Sequence, residues 1–135
     1  LGDSVSTAAR IESKCKEYGC VLLVGENTYK RTKEDFFYLK VDDLAVKGKT
    51  VGIGIWTVLD NVKPAWRVAQ RKHVEMHQLY KDQKFQEAIA QCQILHSHFD
   101  GKMSGYYDMW IERCEFMMTQ PLPSDWNGVF VATTK

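Results

Sequence analysis

The chain has 135 residues, 44% of them hydrophobic and 26% charged, with a formal net charge of +1. These are ordinary values for one modest globular domain, or a small domain with an appendage, and they exclude wholesale disorder, collagen and low-complexity fibre. The near-neutral balance gives no reason to expect nucleic acid or a membrane surface as partner of this segment, and no uncharged apolar run approaches the roughly 18 residues of a membrane span.

The chain opens on Leu1-Gly2-Asp3-Ser4, without an initiator Met, a basic n-region or a cleavable apolar stretch. That is no signal peptide, and the expectation is a piece of a longer protein whose upstream part is missing. Val5, Ala8, Ile11, Cys15 and Tyr18 recur every three or four residues and predict an amphipathic helix. Asp3 or Ser4 can cap its start and Gly19 supplies a left-handed stop. Cys20–Val24 is a continuous apolar run bounded by glycines, predicted as a buried strand. Glu26–Thr32 follows as a short helix, Phe36–Val41 as a strand and Lys47-Gly48-Lys49-Thr50 as a turn. Val51–Leu59 is a strand with Ile53, Ile55 and Thr57 on one face. The order helix–strand–helix–strand–strand implies an α+β fold with a mixed or antiparallel sheet.

Asp60-Asn61-Val62-Lys63-Pro64 reads as a linker by its turn residues. It divides the chain into segment 1–60 and a helical extension, 61–135. In the extension Trp66, Ala69, His73, Met76 and Tyr80 form one helical stripe. Phe85, Ala88, Ile89, Cys92, Leu95 and Phe99 form a second, and Tyr107, Trp110, Ile111, Cys114 and Met118 a third. Lys81–Lys84 and Asp100-Gly101 separate them, and Pro121 and Pro123 end the last. Together they predict a helical hairpin plus a third helix, similar to one tetratricopeptide unit, although a single hairpin makes no repeat array. In the tail, Val129-Phe130-Val131 is expected as an extended edge segment.

Several patterns that can carry chemistry do not survive inspection. Gly48-Lys49-Thr50 ends like a phosphate-binding loop, but the glycine that such a loop needs five residues earlier is Asp43. Gly48, Gly52 and Gly54 lie in and after a turn rather than between a strand and a helix, so they make no dinucleotide fingerprint. His73 and His77 share a helix face, yet no further zinc ligands stand at the needed spacing. His96 and His98 are two apart and cannot share a face. Nothing supports a Cys–His nucleophile pair. The four cysteines, Cys15, Cys20, Cys92 and Cys114, are too few and scattered for a disulfide framework, and read as reduced thiols of a cytoplasmic protein.

One set of motifs is specific. Leu1-Gly2-Asp3-Ser4-Val5-Ser6-Thr7-Ala8-Ala9-Arg10-Ile11-Glu12 resembles the signature helix of class III nucleotidyl cyclases, whose bacterial form runs roughly GD-x-VN-x-A-x-R-LE. Tyr18-Gly19, the apolar run, and Glu26-Asn27-Thr28-Tyr29 resemble the next strand and short helix of that family. Val46-Lys47-Gly48-Lys49 followed by Gly54-Ile55-Trp56 resembles its terminal hairpin. Residues 1–59 are covered in order and without a gap. Residues 65–135 resemble the helical extension that follows the catalytic domain in some bacterial members, with Arg113-Cys114, Pro121–Pro123 and Asp125-Trp126 in its closing pattern.

The resemblance implies the last part of a ferredoxin-like cyclase catalytic domain in 1–60, followed by a tetratricopeptide-like extension in 61–135. It implies a parent that converts ATP, or less readily GTP, to the 3′,5′-cyclic nucleotide and pyrophosphate for signal transduction. Arg10 takes the place of the arginine that stabilises charge developing at the phosphate. Lys47 takes that of the lysine on the outer phosphates. The ribose-orienting asparagine falls on Ser6, where the chain departs from the pattern: serine keeps a hydroxyl but is shorter and lacks the amide. The physics agrees, since a guanidinium fork fits phosphate oxygens, a turn lysine acts as a point charge, and positions i and i+4 share a helix face. The family's metal aspartates lie upstream of Leu1, so Mg2+ or Mn2+ is expected in the intact parent and none on this segment alone, which is expected to be inactive by itself. A homodimer is implied, because the family's active sites form between two catalytic domains. A protein partner for the helical extension and a cytoplasmic location are further expectations, any membrane anchor of the parent being carried by upstream segments. The rival reading is a non-catalytic, cyclase-like regulatory or protein-interaction module.

Overall fold

A computed structural model of the chain describes Cys15 and residues 17–20, 22–45 and 52–131. The described residues form two compact units. One comprises those up to Asn61 together with the tail from Val129, and the other Val62–Gly128. The fold class is α+β, as the order of predicted elements implies.

In the first unit the helical residues end at Tyr18. Gly19 takes a left-handed φ of 66°, and the Cys20 amide donates to the Cys15 carbonyl at 3.0 Å. That six-to-one bond across a left-handed glycine is the usual way to close a helix C-terminus, because a Cβ at this φ is strained. The elements that follow are β1 (Val24–Gly25), α1 (Glu26–Thr32), β2 (Phe37–Ala45) and β3 (Ile53–Leu59), with β4 (Phe130–Val131) coming from the tail. They form one sheet in the order β1-β3-β2-β4. β3 runs antiparallel to both β1 and β2, and β4 lies parallel to β2 at the edge.

Two strand boundaries differ from expectation by four residues each. The predicted strand Cys20–Val24 pairs only from Val24. Upstream of it the Leu22 carbonyl accepts a hydrogen bond from the Thr57 hydroxyl at 2.7 Å, which meets a backbone group without a ladder. Cys20 and Leu23 are buried while Leu22 is 47% exposed, so an apolar run here marks extended chain along β3 rather than a strand. Conversely, β2 does not stop at Val41 but continues to Ala45. The register slips between Lys40, opposite Trp56, and Asp42, opposite Ile55. This is a bulge, with Val41 as the extra residue.

The bulge decides which face each later side chain takes. Leu39 lies opposite Thr57 and Asp42 opposite Ile55, so Asp42 joins the buried face rather than the face of Tyr38 and Lys40, where strict alternation would put it. Asp43 is turned to the Lys40 side, and the two form an ion pair at 2.9 Å. On that face Tyr29 of α1 stacks on Trp56 with ring centroids 4.0 Å apart, its edge meeting Tyr38 at 5.1 Å. The Trp56 ring also covers Gly54, where a Cβ would stand 2.4 Å from the indole.

The second unit holds α2 (Trp66–Lys81), α3 (Phe85–Leu95) and α4 (Ser104–Met117). The α2 stripe is buried as its spacing predicts: Trp66, Ala69, His73, Met76 and Tyr80. In α3 the buried set is Phe85, Ala88, Cys92 and Leu95, with Ile89 only partly covered. In α4 it is Tyr106, Tyr107, Trp110, Arg113, Cys114 and Met117. Met117 therefore replaces the predicted Met118, which is 41% exposed. Tyr107, Trp110 and Cys114 of the predicted stripe are buried, Ile111 is only partly covered, and Tyr106, Arg113 and Met117 widen the buried face beyond that stripe. Phe99 and Asp100, both at φ 57°, and Gly101 at φ 74° turn the chain between α3 and α4. Beyond α4, the Trp126 ring packs edge-on against Tyr80 at 5.1 Å and Phe85 at 5.8 Å.

Candidate functional site

Ser6, Arg10 and Lys47 lie outside the described residues. What the structure gives is the frame on either side of them: the helix end at Cys15–Tyr18, β2 up to Ala45 and β3 from Ile53. These flanks meet through side chains. Tyr18 is fully buried, and its hydroxyl donates to Asp42 Oδ2 at 2.6 Å. The other carboxylate oxygen, Oδ1, accepts the Asp43 amide at 2.9 Å. Asp42 is 1% exposed. A carboxylate taken out of water to this degree needs hydrogen-bond donors, and an O–H···O contact of this length is of the strong, charge-assisted kind.

By spacing Tyr18 is one more apolar position of a helical stripe, and in the resemblance it belongs to the Tyr18-Gly19 pair; neither gives it a partner, and the sequence assigns Asp42 no role. A signal was present: Asp42-Asp43 interrupts an apolar strand pattern that resumes at Leu44-Ala45. Acidic residues inside such a run point to a bulge or a buried partner. Lys40 is a further cation near the hairpin, but it is held by Asp43 and lies over the Trp56 ring at 5.4 Å.

The other chemical candidates are accounted for by packing. His73, 1% exposed, shares a 2.7 Å hydrogen bond with the Tyr107 hydroxyl through Nδ1. His77 Nε2 does the same with Tyr106 at 2.9 Å. The two rings, 4.7 Å apart, thus join α2 to α4. His96 pairs with Asp108 at 2.9 Å and His98 Nδ1 meets the Ile94 carbonyl. Among the described residues no three His, Cys, Asp or Glu side chains group as a metal site, and no helix is long and apolar enough to cross a membrane. No disulfide joins Cys15, Cys20, Cys92 and Cys114. Burial pushes Cys20, Cys92 and Cys114 up to about 12, so their thiolates, the reactive form, are scarce near neutral pH.

The chain is 35% identical over 101 residues to the adenylate cyclase, terminal-differentiation specific, of Dictyostelium discoideum, an alignment that takes in 70% of this chain and 5% of the relative. The chain is thus related in sequence to an adenylate cyclase and spans a small part of that relative's length. An alignment over 70% of the chain is longer than segment 1–60, so it takes in part of the helical segment as well. No family model matches the chain, and no solved structure does.

Proposed function

We propose that this chain is part of a class III nucleotidyl cyclase, contributing the end of its catalytic domain and a helical extension, and that the intact protein converts ATP to the cyclic nucleotide and pyrophosphate. The observation that carries this reading is the ordered run of family motifs through residues 1–59, and the relationship to an adenylate cyclase supports it. That relative is from Dictyostelium, so it lends no weight to the bacterial origin that the motifs resemble. The alignment past residue 60 favours a cyclase extension over an unrelated appendage. The arrangement of α2, α3 and α4 is compatible with a tetratricopeptide-like unit that receives a protein partner.

In this reading Mg2+ or Mn2+ would be held by aspartates that the family places before these motifs, and would supply Lewis-acid activation at the ribose 3′-hydroxyl and the α-phosphate. The work of this chain is positional and electrostatic. Arg10 meets charge that grows at the phosphate in the transition state. Lys47 holds the outer phosphates, and Ser6 stands where the ribose is oriented. The catalytic domains pair as a homodimer.

The test is steady-state kinetics of the full-length protein with ATP or GTP and Mn2+. Arg10→Ala should lower kcat by about 100-fold or more. Lys47→Ala should act mainly on KM, and Ser6→Asn should raise turnover with less effect on affinity. Residues 1–135 alone should make no cyclic nucleotide. Ser6 is the one observation that favours a regulatory module instead. If Ser6→Asn leaves turnover flat and Arg10→Ala has no effect, that module is the better description.

A further inference from the structure

We propose that Tyr18 and Asp42 form a positioning pair that sets the two phosphate-handling segments of the chain, around Arg10 and around Lys47, in register with each other. The inference rests on the cyclase reading and adds to it a contact between two residues to which the resemblance assigns no role.

The pair sits where such a device has to act. Tyr18 is eight residues after Arg10, about 12 Å along the helix that the sequence predicts. Asp42 is five residues before Lys47, at the end of β2 that leads into the hairpin. A hydrogen bond between the two, 2.6 Å long and fully buried, therefore ties the outgoing end of one segment to the incoming end of the other. Both members are individually restrained. Tyr18 is the last residue before the Gly19 turn, whose six-to-one bond from Cys20 to Cys15 fixes the helix end. Asp42 is locked by the Asp43 amide on its second oxygen.

Stability alone does not account for the arrangement. A carboxylate at this depth loses its hydration, and replacing a buried polar pair by apolar groups of similar volume is often neutral or stabilising. The strand would be more regular without its bulge, and Asp42 would then stand on the Lys40 face, away from Tyr18. Instead the strand takes up an extra residue, Val41, to bring the carboxylate under the phenol. Bulges are concentrated beside active sites, where they re-aim one side chain. A polar pair also specifies one geometry, whereas apolar contacts tolerate sliding. Transition-state stabilisation by Arg10 is sensitive to sliding of that kind, since a misplacement of about 1 Å can cost 100-fold in rate.

The experiment is a double-mutant cycle in the full-length cyclase, pairing Tyr18→Phe with Arg10→Ala. Denaturation midpoints are measured on every variant, and Asp42→Asn serves as a second lesion in the same pair. Tyr18→Phe should lower kcat/KM by about 10- to 100-fold with Arg10 present and by less than about twofold once Arg10 is gone. Asp42→Asn, which retains one oxygen acceptor for Tyr18, should fall between Tyr18→Phe and the wild type. Equal losses in both backgrounds, or no loss at all from either lesion in an active enzyme, would overturn the positioning role while leaving the cyclase reading intact. A full-length protein without cyclase activity overturns that reading, and the positioning role with it.

Discussion

Trp110 is the largest side chain in the buried seam between α2 and α4, and its truncation is the sharpest check on how the helical unit holds together. The ring is 1% exposed. It meets Tyr80 edge-on at 4.5 Å, His77 at 4.8 Å and Tyr106 at 6.0 Å, with the Arg113 guanidinium 4.8 Å from its centre. A tryptophan buries up to about 250 Å², which at about 25 cal/mol per Å² sets an upper limit of roughly 6 kcal/mol. Alanine keeps part of that burial and its neighbours relax into the void, so Trp110→Ala should cost about 3–5 kcal/mol. For a unit of this size the melting temperature should fall by roughly 15–30 °C. Among the described residues the indole N–H has no hydrogen-bond partner. Trp110→Phe therefore removes a desolvated donor, which offsets part of the lost area, and should cost less than about 2 kcal/mol. Phe116, on the same helix but 56% exposed, is the control: Phe116→Ala should stay within about 1 kcal/mol. The assay is urea denaturation followed by far-ultraviolet circular dichroism. An unchanged midpoint for Trp110→Ala, or equal shifts for positions 110 and 116, would refute the assignment of this ring as the centre of the helical core.

Three further outcomes are expected. Burial raises the thiols of Cys20, Cys92 and Cys114 from an ordinary 9.0 to about 12; their contribution to stability is full below pH 9 and is lost as pH climbs towards 12, at up to about 1.4 kcal/mol per pH unit for each thiol. A Cys92→Ala/Cys114→Ala protein should show a shallower decline in alkaline denaturation, and an identical slope would count against buried, protonated thiols. Gly54→Ala drives a Cβ into the Trp56 ring, itself stacked on Tyr29, and should destabilise the sheet unit by about 1–3 kcal/mol, seen as a lower midpoint in chemical denaturation. Tyr107→Phe deletes the buried bond to His73 and should cost about 1 kcal/mol in the same assay, with wild-type behaviour meaning that the bond adds nothing net.

Much of this fold could be read from periodicity. Glu26–Thr32 was predicted as a helix and forms one over the same residues. The α2 stripe was complete because charged residues separate its apolar positions cleanly. Reading failed where two signals overlapped. In α4 the pair Met117-Met118 offers two equally apolar candidates, and only packing selects the first. At Cys20–Val24 the apolar run was real but the ladder was not, because burial and strand pairing leave the same mark on a short sequence. In β2 the expected strand stops at Val41, since nothing local reveals that a bulge sends the Asp42 carboxylate inward and that of Asp43 to Lys40. The candidate site divides in the same way. Its motif residues were legible by resemblance, while the Tyr18–Asp42 contact, made between positions 24 apart, depends on tertiary structure.

The edge strand β4 carries a consequence for how the chain assembles. It pairs with β2 at Leu44 and Ala45 through Phe130 and Val131, yet the whole helical unit intervenes between β3 and β4. Closing a disordered loop of some 70 residues costs roughly 4 kcal/mol in chain entropy, more than two residue pairs on a sheet edge return at about 1 kcal/mol or less each. Folding of the helices shortens the effective loop and lowers that cost, with Trp126 seated on Tyr80 and Phe85 just before the strand. Sheet completion is therefore favoured by folded helices, and melting them raises the entropic cost of keeping the last strand on a sheet whose own residues are untouched.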